Sequence, residues 1–253
     1  MTLRIEKADR IARVTLDRPP VNALTMQLYG EIGDVFASAN EWNDVNVIVF
    51  GSAGTRAFCA GLDLNEFLAA TVEEDPKRAA IIRRCFSAIR NAAVPVIAAV
   101  NGPALGAGCV IASLCDMRIA SETATFGLPE INVGRCGGGA HIGRLIPQGM
   151  LRRMFFTGQP ITAAEAYRVG LVEEVVPAAE LGAAVDRLAK VIAQKAPLGL
   201  RLGKQALNEV EFMPVEDGYA REQQYSTRLM ATEDAREATR AVVEKRKPVF
   251  VGR

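Results

Sequence analysis

The sequence is poor in the residues that build most metal sites and disulfide frameworks. Its 253 residues include a single histidine, His141, and its five cysteines form no Cys-x-x-Cys pair. We therefore expect no zinc ribbon, no thioredoxin-type motif and no metal site. An odd number of cysteines without paired short spacings is typical of reduced thiols, as found in the cytoplasm.

The chain also lacks an excess of charge and any long hydrophobic run. Thirty basic residues nearly balance 29 acidic ones, and the formal net charge is +1. We therefore expect no nucleic-acid partner. The longest apolar stretch, residues 94–100, is too short to cross a bilayer, and the N-terminus has no apolar signal region. These features predict a cytoplasmic protein without a membrane partner.

Motifs for nucleotide binding and for serine catalysis are missing as well. Residues 102–108 read Gly-Pro-Ala-Leu-Gly-Ala-Gly, a spacing that differs from the GxGxxG dinucleotide loop. The sequence contains neither GxxxxGK[ST] nor GxSxG, and no motif places a serine near His141. NAD chemistry, P-loop chemistry and serine hydrolysis are therefore not expected.

The hydrophobic pattern that is present indicates a mixed α/β protein. Residues 3–16 alternate as two strands, and buried-strand runs at 45–50 and 94–100 each lead into a glycine-rich turn. This recurrence predicts a stack of β-β-α units rather than a sandwich. After residue 150 the pattern is mostly helical. We place a boundary near Pro197, with a core over 1–196 and a helical region over 197–253.

The two glycine-rich turns, residues 58–64 and 102–109, are the first candidates for chemistry. Small residues let a ligand approach the backbone closely, and the start of a helix offers unpaired N–H groups to negative charge. Two such turns aimed at one point would form an oxyanion hole.

These turns belong to a series of motifs that runs through nearly the whole chain. In order they are residues 16–24 (LDRPPVNAL), 57–64 (AFCAGLDL), 99–109 (AVNGPALGAGC), 115–116 (CD), 126–134 (FGLPEINVG), 156–158 (FTG), 163–166 (AAEA), 170–172 (GLV) and 244–248 (EKRKP). The series resembles the enoyl-CoA hydratase/isomerase family, also called the crotonase superfamily. The resemblance implies an α/β fold, a crotonase-like spiral of β-β-α units carrying an acyl-CoA site, with a C-terminal all-helical oligomerisation region.

The resemblance also implies a set of site residues. The backbone amides of Leu62 and Ala107 would stabilise a thioester enolate. Lys245 matches a position that can hold a CoA phosphate, although an exposed tail charge explains it equally well. The residues implied in substrate and CoA binding are Ala60, Leu62, Asp63, Leu64, Ala107 and Lys245. Coenzyme A would arrive as part of the substrate, no other cofactor is implied, and the family assembles as homotrimers or dimers of trimers.

One acidic residue carries the proton-transfer hypothesis. Many hydratases of the family have two glutamates; here the second is present as Glu130, and Val110 occupies the position of the first. The apolar neighbours of Glu130 predict a raised pKa, which suits proton transfer near neutral pH. A single carboxylate favours isomerisation or another single-base enolate reaction. Hydration, with water held by Glu130 alone or with His141, is the alternative.

Residues 134–141 depart from the family's pattern and supply three auxiliary candidates, Arg135, Gly138 and His141. Arg135 either meets a carboxylate of the acyl group or forms a salt bridge. His141 either supplies an acid or base or packs in a helix. Both residues leave open a hydrolase or decarboxylase on the same scaffold. A non-catalytic CoA-ligand-binding protein is the remaining alternative.

Overall fold

The computed structural model describes residues 2–253. Its strands are β1 (Leu3–Ala8), β2 (Ile11–Leu16), β3 (Val47–Ser52), β4 (Val96–Val100), β5 (Ala104–Leu105), β6 (Met117–Ser121), β7 (Thr125–Gly127), β8 (Ile161–Thr162) and β9 (Glu174–Val176). The fold is built on a six-stranded sheet with strand order β1-β2-β3-β4-β6-β9. Strands β1 and β2 form an antiparallel hairpin, and the pairs from β2 onward in this sheet are parallel.

Helices connect and cover the strands. They are α1 (Met26–Ser38), α2 (Leu64–Ala69), α3 (Asp75–Arg90), α4 (Ala107–Leu114), α5 (Gly139–Ile142), α6 (Gln148–Thr157), α7 (Ala163–Arg168), α8 (Leu181–Ala193), α9 (Pro197–Val210), α10 (Val215–Met230) and α11 (Glu233–Val243). Local sequence explains several starts. The Thr25 hydroxyl accepts the Leu28 amide at 3.2 Å, and Thr162 and Glu165 form a capping box. None of the helices in the described range is long and apolar enough to cross a membrane.

The period-two alternation of the strands buries both faces of the sheet. On β3, Val47 and Val49 pack with helix α8, whereas Ile48 and Phe50 face the larger core beneath α1 and α3. Successive side chains of a strand point to opposite faces of the sheet. A strand that is buried on both faces therefore has apolar residues at consecutive positions. The sequence therefore identified β3 and β4 correctly as buried strands.

A small second sheet, with strand order β5-β7-β8, lies beside the turn that follows β4. Isolated bridges join Cys59 to Ala104 and Leu24 to Leu62. The backbone thus connects the first glycine-rich turn to the second one and the second one to β7. These connections position the candidate site.

The C-terminal helices dock on the core through buried polar contacts. The Lys204 ammonium of α9 is buried and donates to Asp116 at 2.7 Å and to the Val94 carbonyl at 3.1 Å. Asp116 also accepts the Val96 amide at 2.7 Å, so one carboxylate ties α9 to the start of β4. The predicted α/β class with a C-terminal helical region is confirmed. Strand β9 was missed, because three residues carry too little pattern to recognise.

Candidate active site

The two glycine-rich turns lie side by side in backbone contact. The Leu105 amide donates to the Cys59 carbonyl at 2.9 Å. A β-carbon added to Gly61 would lie 2.8 Å from the Leu105 oxygen and 3.4 Å from the Ala107 nitrogen. Gly61 and Gly106 have φ angles of 91° and 54°, a region that favours glycine. Glycine is therefore required here both by conformation and by space.

The amides of Leu62 and Ala107 come from these two turns. The Leu24 amide donates to the Gly61 carbonyl at 2.7 Å, and the Leu24 carbonyl accepts a hydrogen bond from the Asp63 amide at 2.9 Å. In a trans peptide the N–H points opposite to the carbonyl before it, so the Leu62 amide points away from Leu24. Ala107 is the first residue of α4, where no preceding turn offers an acceptor. Within residues 2–253, neither amide donates to a protein oxygen.

Glu130 lies against the second turn. It belongs to a short 3-10 turn, Pro129–Val133, that directly follows β7. The Gly106 amide donates to the Gly127 carbonyl at 2.9 Å, which fixes the backbone of the two segments together. A β-carbon on Gly106 would lie 2.8 Å from Glu130 Oε1. The carboxylate therefore sits next to the residue that precedes Ala107.

Burial raises the pKa of Glu130, and the residue's own backbone amide opposes this shift by hydrogen bonding. Its Oε2 atom is buried and has no hydrogen-bond partner within residues 2–253. An unpartnered carboxylate oxygen in a partly desolvated position accepts a proton more readily than an exposed one. The direction agrees with the raised pKa expected from the apolar neighbours in the sequence.

The position of the family's first glutamate, which this chain lacks, is apolar. Val110 is buried in α4. A β-carbon at Gly138 would lie 2.7 Å from Val110 Cγ2 and 2.9 Å from Leu128 Cδ2. Gly138, with a φ angle of 77°, thus allows the chain before α5 to pass close to these two side chains. Glycine at this position therefore lets the backbone pack directly against Val110 and Leu128.

His141 packs into a helix, as one of the two sequence interpretations proposed. It lies in α5, and its ring meets Phe86 of α3 edge-on, with centroids 5.5 Å apart. Burial lowers the pKa of His141, and the positive charges of Arg144 and Arg90 lower it further. The imidazole is therefore kept neutral at pH 7.

Arg135 lies in an ion pair at the rim of the site. Its Nη2 atom is 2.7 Å from an Asp75 oxygen, with both side chains about half exposed. The guanidinium also stacks over the Phe67 ring, 4.7 Å from its centroid. Arg135 thereby connects the segment after Glu130 to α2 and to the start of α3. This geometry matches the salt-bridge interpretation.

The residues implied in CoA binding are distributed unevenly. Asp63 caps α2. A hydrogen bond from the Glu66 amide and, second in size, one from Arg18 hold the pKa of the Asp63 carboxyl below its ordinary value. Arg18 Nη2 lies 2.7 Å from Asp63 Oδ2. Ala60 is fixed by its amide, which donates to Val21, and Leu64 is 59% exposed. Lys245 is exposed beyond α11, and its side chain makes no hydrogen bond or ion pair within residues 2–253. Ala60, Asp63 and Leu64 lie within five positions of one another in the chain, and no hydrogen bond or ion pair of the described residues connects Lys245 to them.

Sequence reasoning missed two polar residues, Tyr29 and Arg78. The Tyr29 side chain of α1 is fully buried, and Arg78 Nη2 of α3 is buried without a partner in the described part of the chain. Burial raises the pKa of Tyr29 well above its usual value; the charge of Glu130 adds to this shift, and that of Arg78 opposes it. For Arg78 the sequence offered a signal of burial: it precedes Cys85 by seven residues, two helical turns, and so lies on the same face of the helix.

Comparison with known proteins places this geometry in a family. The family model for enoyl-CoA hydratase/isomerase matches residues 6–253. The short-chain-enoyl-CoA hydratase of Clostridium acetobutylicum is 37% identical over 247 residues, covering 96% of this chain and 95% of that protein. The 2,3-dehydroadipyl-CoA hydratase of Escherichia coli is 38% identical over 263 residues, and the match covers 99% of this chain and 99% of that protein.

A solved structure agrees with the sequence relatives. The crystal structure of an enoyl-CoA hydratase from Bacillus anthracis matches with a TM-score of 0.96 and 32% identity, and the match covers 100% of both chains. By motif order, fold and relatives, this chain belongs to the enoyl-CoA hydratase/isomerase family, the crotonase superfamily.

Proposed function

We propose that the protein transfers protons on an acyl-CoA through a thioester enolate. The amides of Leu62 and Ala107 hold the thioester oxygen, and Glu130 moves the proton at the neighbouring carbon. The observation that carries this proposal is the closeness of Glu130 Oε1 to Gly106, which precedes one of the two donors. Two unpaired amides from adjoining turns add support.

The physical effect of such an arrangement is large. When a base removes a proton beside a thioester, negative charge develops on the carbonyl oxygen. Fixed N–H donors stabilise that charge without reorganising, and one donor contributes about 3 kcal/mol. The start of α4 adds the positive end of a helix dipole. Because burial raises the pKa of Glu130, its basicity approaches the range in which general bases work best near neutral pH.

Double-bond isomerisation is the reaction that one carboxylate performs most simply. The Glu130 carboxylate removes a proton from the α-carbon of a 3-enoyl-CoA, and the electron pair moves to the thioester oxygen as a dienolate. The carboxylic acid so formed returns the proton to the γ-carbon, and a 2-enoyl-CoA results. No water and no second acid take part. The apolar wall at Val110 supports this reaction, since valine cannot accept a hydrogen bond from water.

Hydration of a 2-enoyl-CoA is the second candidate, favoured by the names of the two relatives, both called hydratases. Here Glu130, alone or with His141, would hold the water. The neutral imidazole of His141 suits such a role chemically, because it keeps a free acceptor nitrogen.

The remaining parts of the proposal concern binding and assembly. Coenzyme A enters with the substrate, Ala60, Asp63 and Leu64 lie on its side of the site, and Lys245 holds a phosphate. A homotrimer or dimer of trimers is supported by exposed apolar side chains in the C-terminal helical region. These side chains are Phe212, Met213, Val215, Tyr219, Met230, Val242 and Val243. Light scattering coupled to size-exclusion chromatography measures this assembly directly.

Mass spectrometry of a panel of acyl-CoAs tests the reaction. Isomerisation leaves the mass unchanged and shifts the retention time, hydration adds one water, and decarboxylation loses carbon dioxide. We expect isomerisation of a 3-enoyl-CoA. Glu130→Gln should lower the rate by about 10²–10⁴-fold. The matched control Glu122→Gln, at an exposed position, should leave it unchanged.

Each contrary outcome removes a different part of the proposal. Efficient hydration of a short 2-enoyl-CoA without isomerisation would replace the first candidate by the second. Release of free CoA would indicate a hydrolase. Full activity of Glu130→Gln would mean that Glu130 is not the base. Tight binding of acyl-CoAs without any turnover would indicate a non-catalytic ligand-binding protein.

A further inference from the structure

Tyr29 and Arg78 lie on the same side of the sheet edge as the two glycine-rich turns. Helix α1 connects the parallel strands β2 and β3, and α3 leads into β4, which is parallel to β3. Helices in such connections run opposite to their strands, so both helices begin at the carboxyl ends of the strands. The turns that contain Gly61 and Gly106 follow those same strand ends.

Tyr29 is fully buried where α1 packs against α3. Its ring packs edge-on against Phe86 of α3, with centroids 6.0 Å apart. The negative charge of Glu130 and the positive charge of Arg78 both act on its hydroxyl. That hydroxyl makes no hydrogen bond to another part of residues 2–253. With its pKa raised, mainly by burial, Tyr29 keeps its proton and remains a hydrogen-bond donor.

Arg78 is half-buried and lies on the helical face of α3 that turns toward the core. That face continues as a stripe through Ile82, Cys85 and Ile89, of which the last two are fully buried. A β-carbon at Gly33 of α1 would lie 3.3 Å from the Cys85 Cα, so this stripe faces α1. Arg83, by contrast, is exposed.

A buried guanidinium nitrogen without an acceptor is costly. Arginine stays charged in proteins, and a buried donor left unpaired costs about 1–3 kcal/mol, or more when it is charged. Arg78 Nη2 is in this state within the described residues. Arg135, the sequence candidate for meeting an acyl carboxylate, is already paired with Asp75. The acceptor that Arg78 lacks in the protein is one that a bound ligand can supply.

We propose that Arg78 and Tyr29 form a subsite for a carboxylate at the far end of the acyl chain, so that the protein prefers acyl-CoAs of dicarboxylic acids. This inference rests on the proposed function, because it takes Glu130 as the position of the reacting carbons. Because α1 and α3 both begin on the side of the sheet where the glycine-rich turns lie, the acyl chain would run from Glu130 toward these two helices. The planar guanidinium presents paired donors that match a carboxylate, and the Tyr29 hydroxyl donates to the same group.

Such a subsite makes a quantitative prediction about ligands of equal length. A hydrogen bond to a charged group contributes roughly 1.5–3 kcal/mol, which corresponds to about a 10- to 100-fold difference in affinity. A methyl-ended chain of the same length also leaves the buried guanidinium unpaired. Discrimination by an unpaired buried polar group is generally stronger than discrimination by one methylene.

Binding of saturated acyl-CoAs tests the subsite without requiring catalysis. Isothermal titration calorimetry compares glutaryl-CoA with pentanoyl-CoA and adipoyl-CoA with hexanoyl-CoA. We expect at least one dicarboxylic ligand to bind about 10- to 100-fold more tightly than its methyl-ended partner. Arg78→Met should abolish this preference while the affinity for the methyl-ended ligand is kept or increased. The matched control Arg83→Met, an exposed residue of the same helix, should retain the full preference.

Two further variants keep the test decisive. Tyr29→Phe should reduce the preference in part, because one donor is lost and the ring remains. If Arg78→Met does not fold, Arg78→Lys keeps the charge but not the paired donors and should show an intermediate preference. Equal affinity for both ligand types in the wild-type protein, or an unchanged preference in the Arg78 variants, would overturn the subsite.

Failure of the subsite and failure of the proposed function give different results. The titrations use ligands that bind without turnover. The measured affinities therefore stay informative even if Glu130 proves not to be the catalytic base. Binding of methyl-ended and dicarboxylic ligands with equal affinity overturns the subsite alone. Absence of binding for every acyl-CoA overturns both.

Discussion

Two neighbouring parts of the site are held by different forces. The inner wall, defined as residues 59–62, 104–107 and Glu130, is joined by backbone hydrogen bonds such as Leu105 to Cys59 at 2.9 Å. The outer rim, defined as residues 64–75 and 131–137, is joined by the half-exposed Arg135–Asp75 ion pair. Backbone bonds between buried strands fix positions closely, whereas an exposed ion pair contributes at most about 1 kcal/mol. Atoms that need fixed geometry therefore lie in the wall, and the rim is free to vary.

Glycines show the same contrast. A β-carbon at Gly108, directly behind the inner wall, would lie 2.1 Å from the Cys59 carbonyl oxygen. A β-carbon at Gly137, in the outer rim, would meet nothing within 4 Å. The inner wall is thus packed so closely that Gly108 has no room for a side chain, whereas Gly137 in the outer rim has open space around it.

The largest expected effect is that of Gly108→Ala. The added methyl group must displace the Cys59 backbone, which is held by its own hydrogen bonds, so the free energy of unfolding should fall by about 3 kcal/mol or more. Urea denaturation measures it, with Gly137→Ala as the control expected within about 0.5 kcal/mol of wild type. Equal stability of the two variants would remove the distinction between wall and rim.

Gly106→Ala should impair catalysis more than folding. The new β-carbon would lie 2.8 Å from Glu130 Oε1, at a φ angle of 54°, so the carboxylate must move. A displacement of about 1 Å at a reacting group costs roughly 100-fold in rate. Steady-state kinetics should show this fall in kcat while calorimetry shows retained acyl-CoA binding. Wild-type kcat would indicate that the position of Glu130 is not critical.

The pH dependence gives a further test of the wall. Glu130 acts as a base only when ionised, and burial raises its pKa. Therefore kcat/KM should fall on acidification through a pKa above the ordinary carboxyl value of 4.5. This acid limb should be absent from the residual activity of Glu130→Gln. A limb at an unshifted value would mean that Glu130 is solvated in the working enzyme.

The same shift predicts a change in stability, with a definite sign. A raised pKa in the folded state means that the folded protein binds this proton more tightly than the unfolded chain does. The resulting stabilisation is present below the unfolded-state pKa and is lost as the pH rises through the folded-state pKa. At pH 7 Glu130→Gln should therefore raise the free energy of unfolding, on the order of 1 kcal/mol, and the gain should shrink in acid.

The smallest effect is expected at the rim. Arg135→Met and Asp75→Asn should each change kcat/KM only a few-fold, because their ion pair is half exposed. A double-mutant cycle on the free energy of unfolding should give a coupling of about 0.2–1 kcal/mol, weakened by salt. A coupling several times larger would show that the rim is as firmly held as the wall.

The sequence predicted the features that depend on short stretches of chain. The two glycine-rich turns and the buried strands that lead into them follow from local backbone chemistry. The raised pKa of Glu130 followed from its immediate apolar neighbours. Each of these depends on residues within a few positions of one another.

Features formed by distant residues were not predicted. Arg135 was recognised as unusual, but its partner Asp75 is 60 positions away. Tyr29 and Arg78 belong to helices, α1 and α3, that pack side by side, and no local sequence pattern reports that packing. Strand β9 gains its identity from pairing with β6 across more than 50 residues. Packing between elements, rather than the elements themselves, supplied these parts of the site.

A crystal structure with butanoyl-CoA bound tests the central claim most directly, because it locates the thioester oxygen. The account predicts that this oxygen lies about 2.7–3.1 Å from both the Leu62 and the Ala107 nitrogens, with the α-carbon facing Glu130. A thioester oxygen bound by only one of these nitrogens or by neither, or a Glu130 carboxylate turned to solvent, would contradict it.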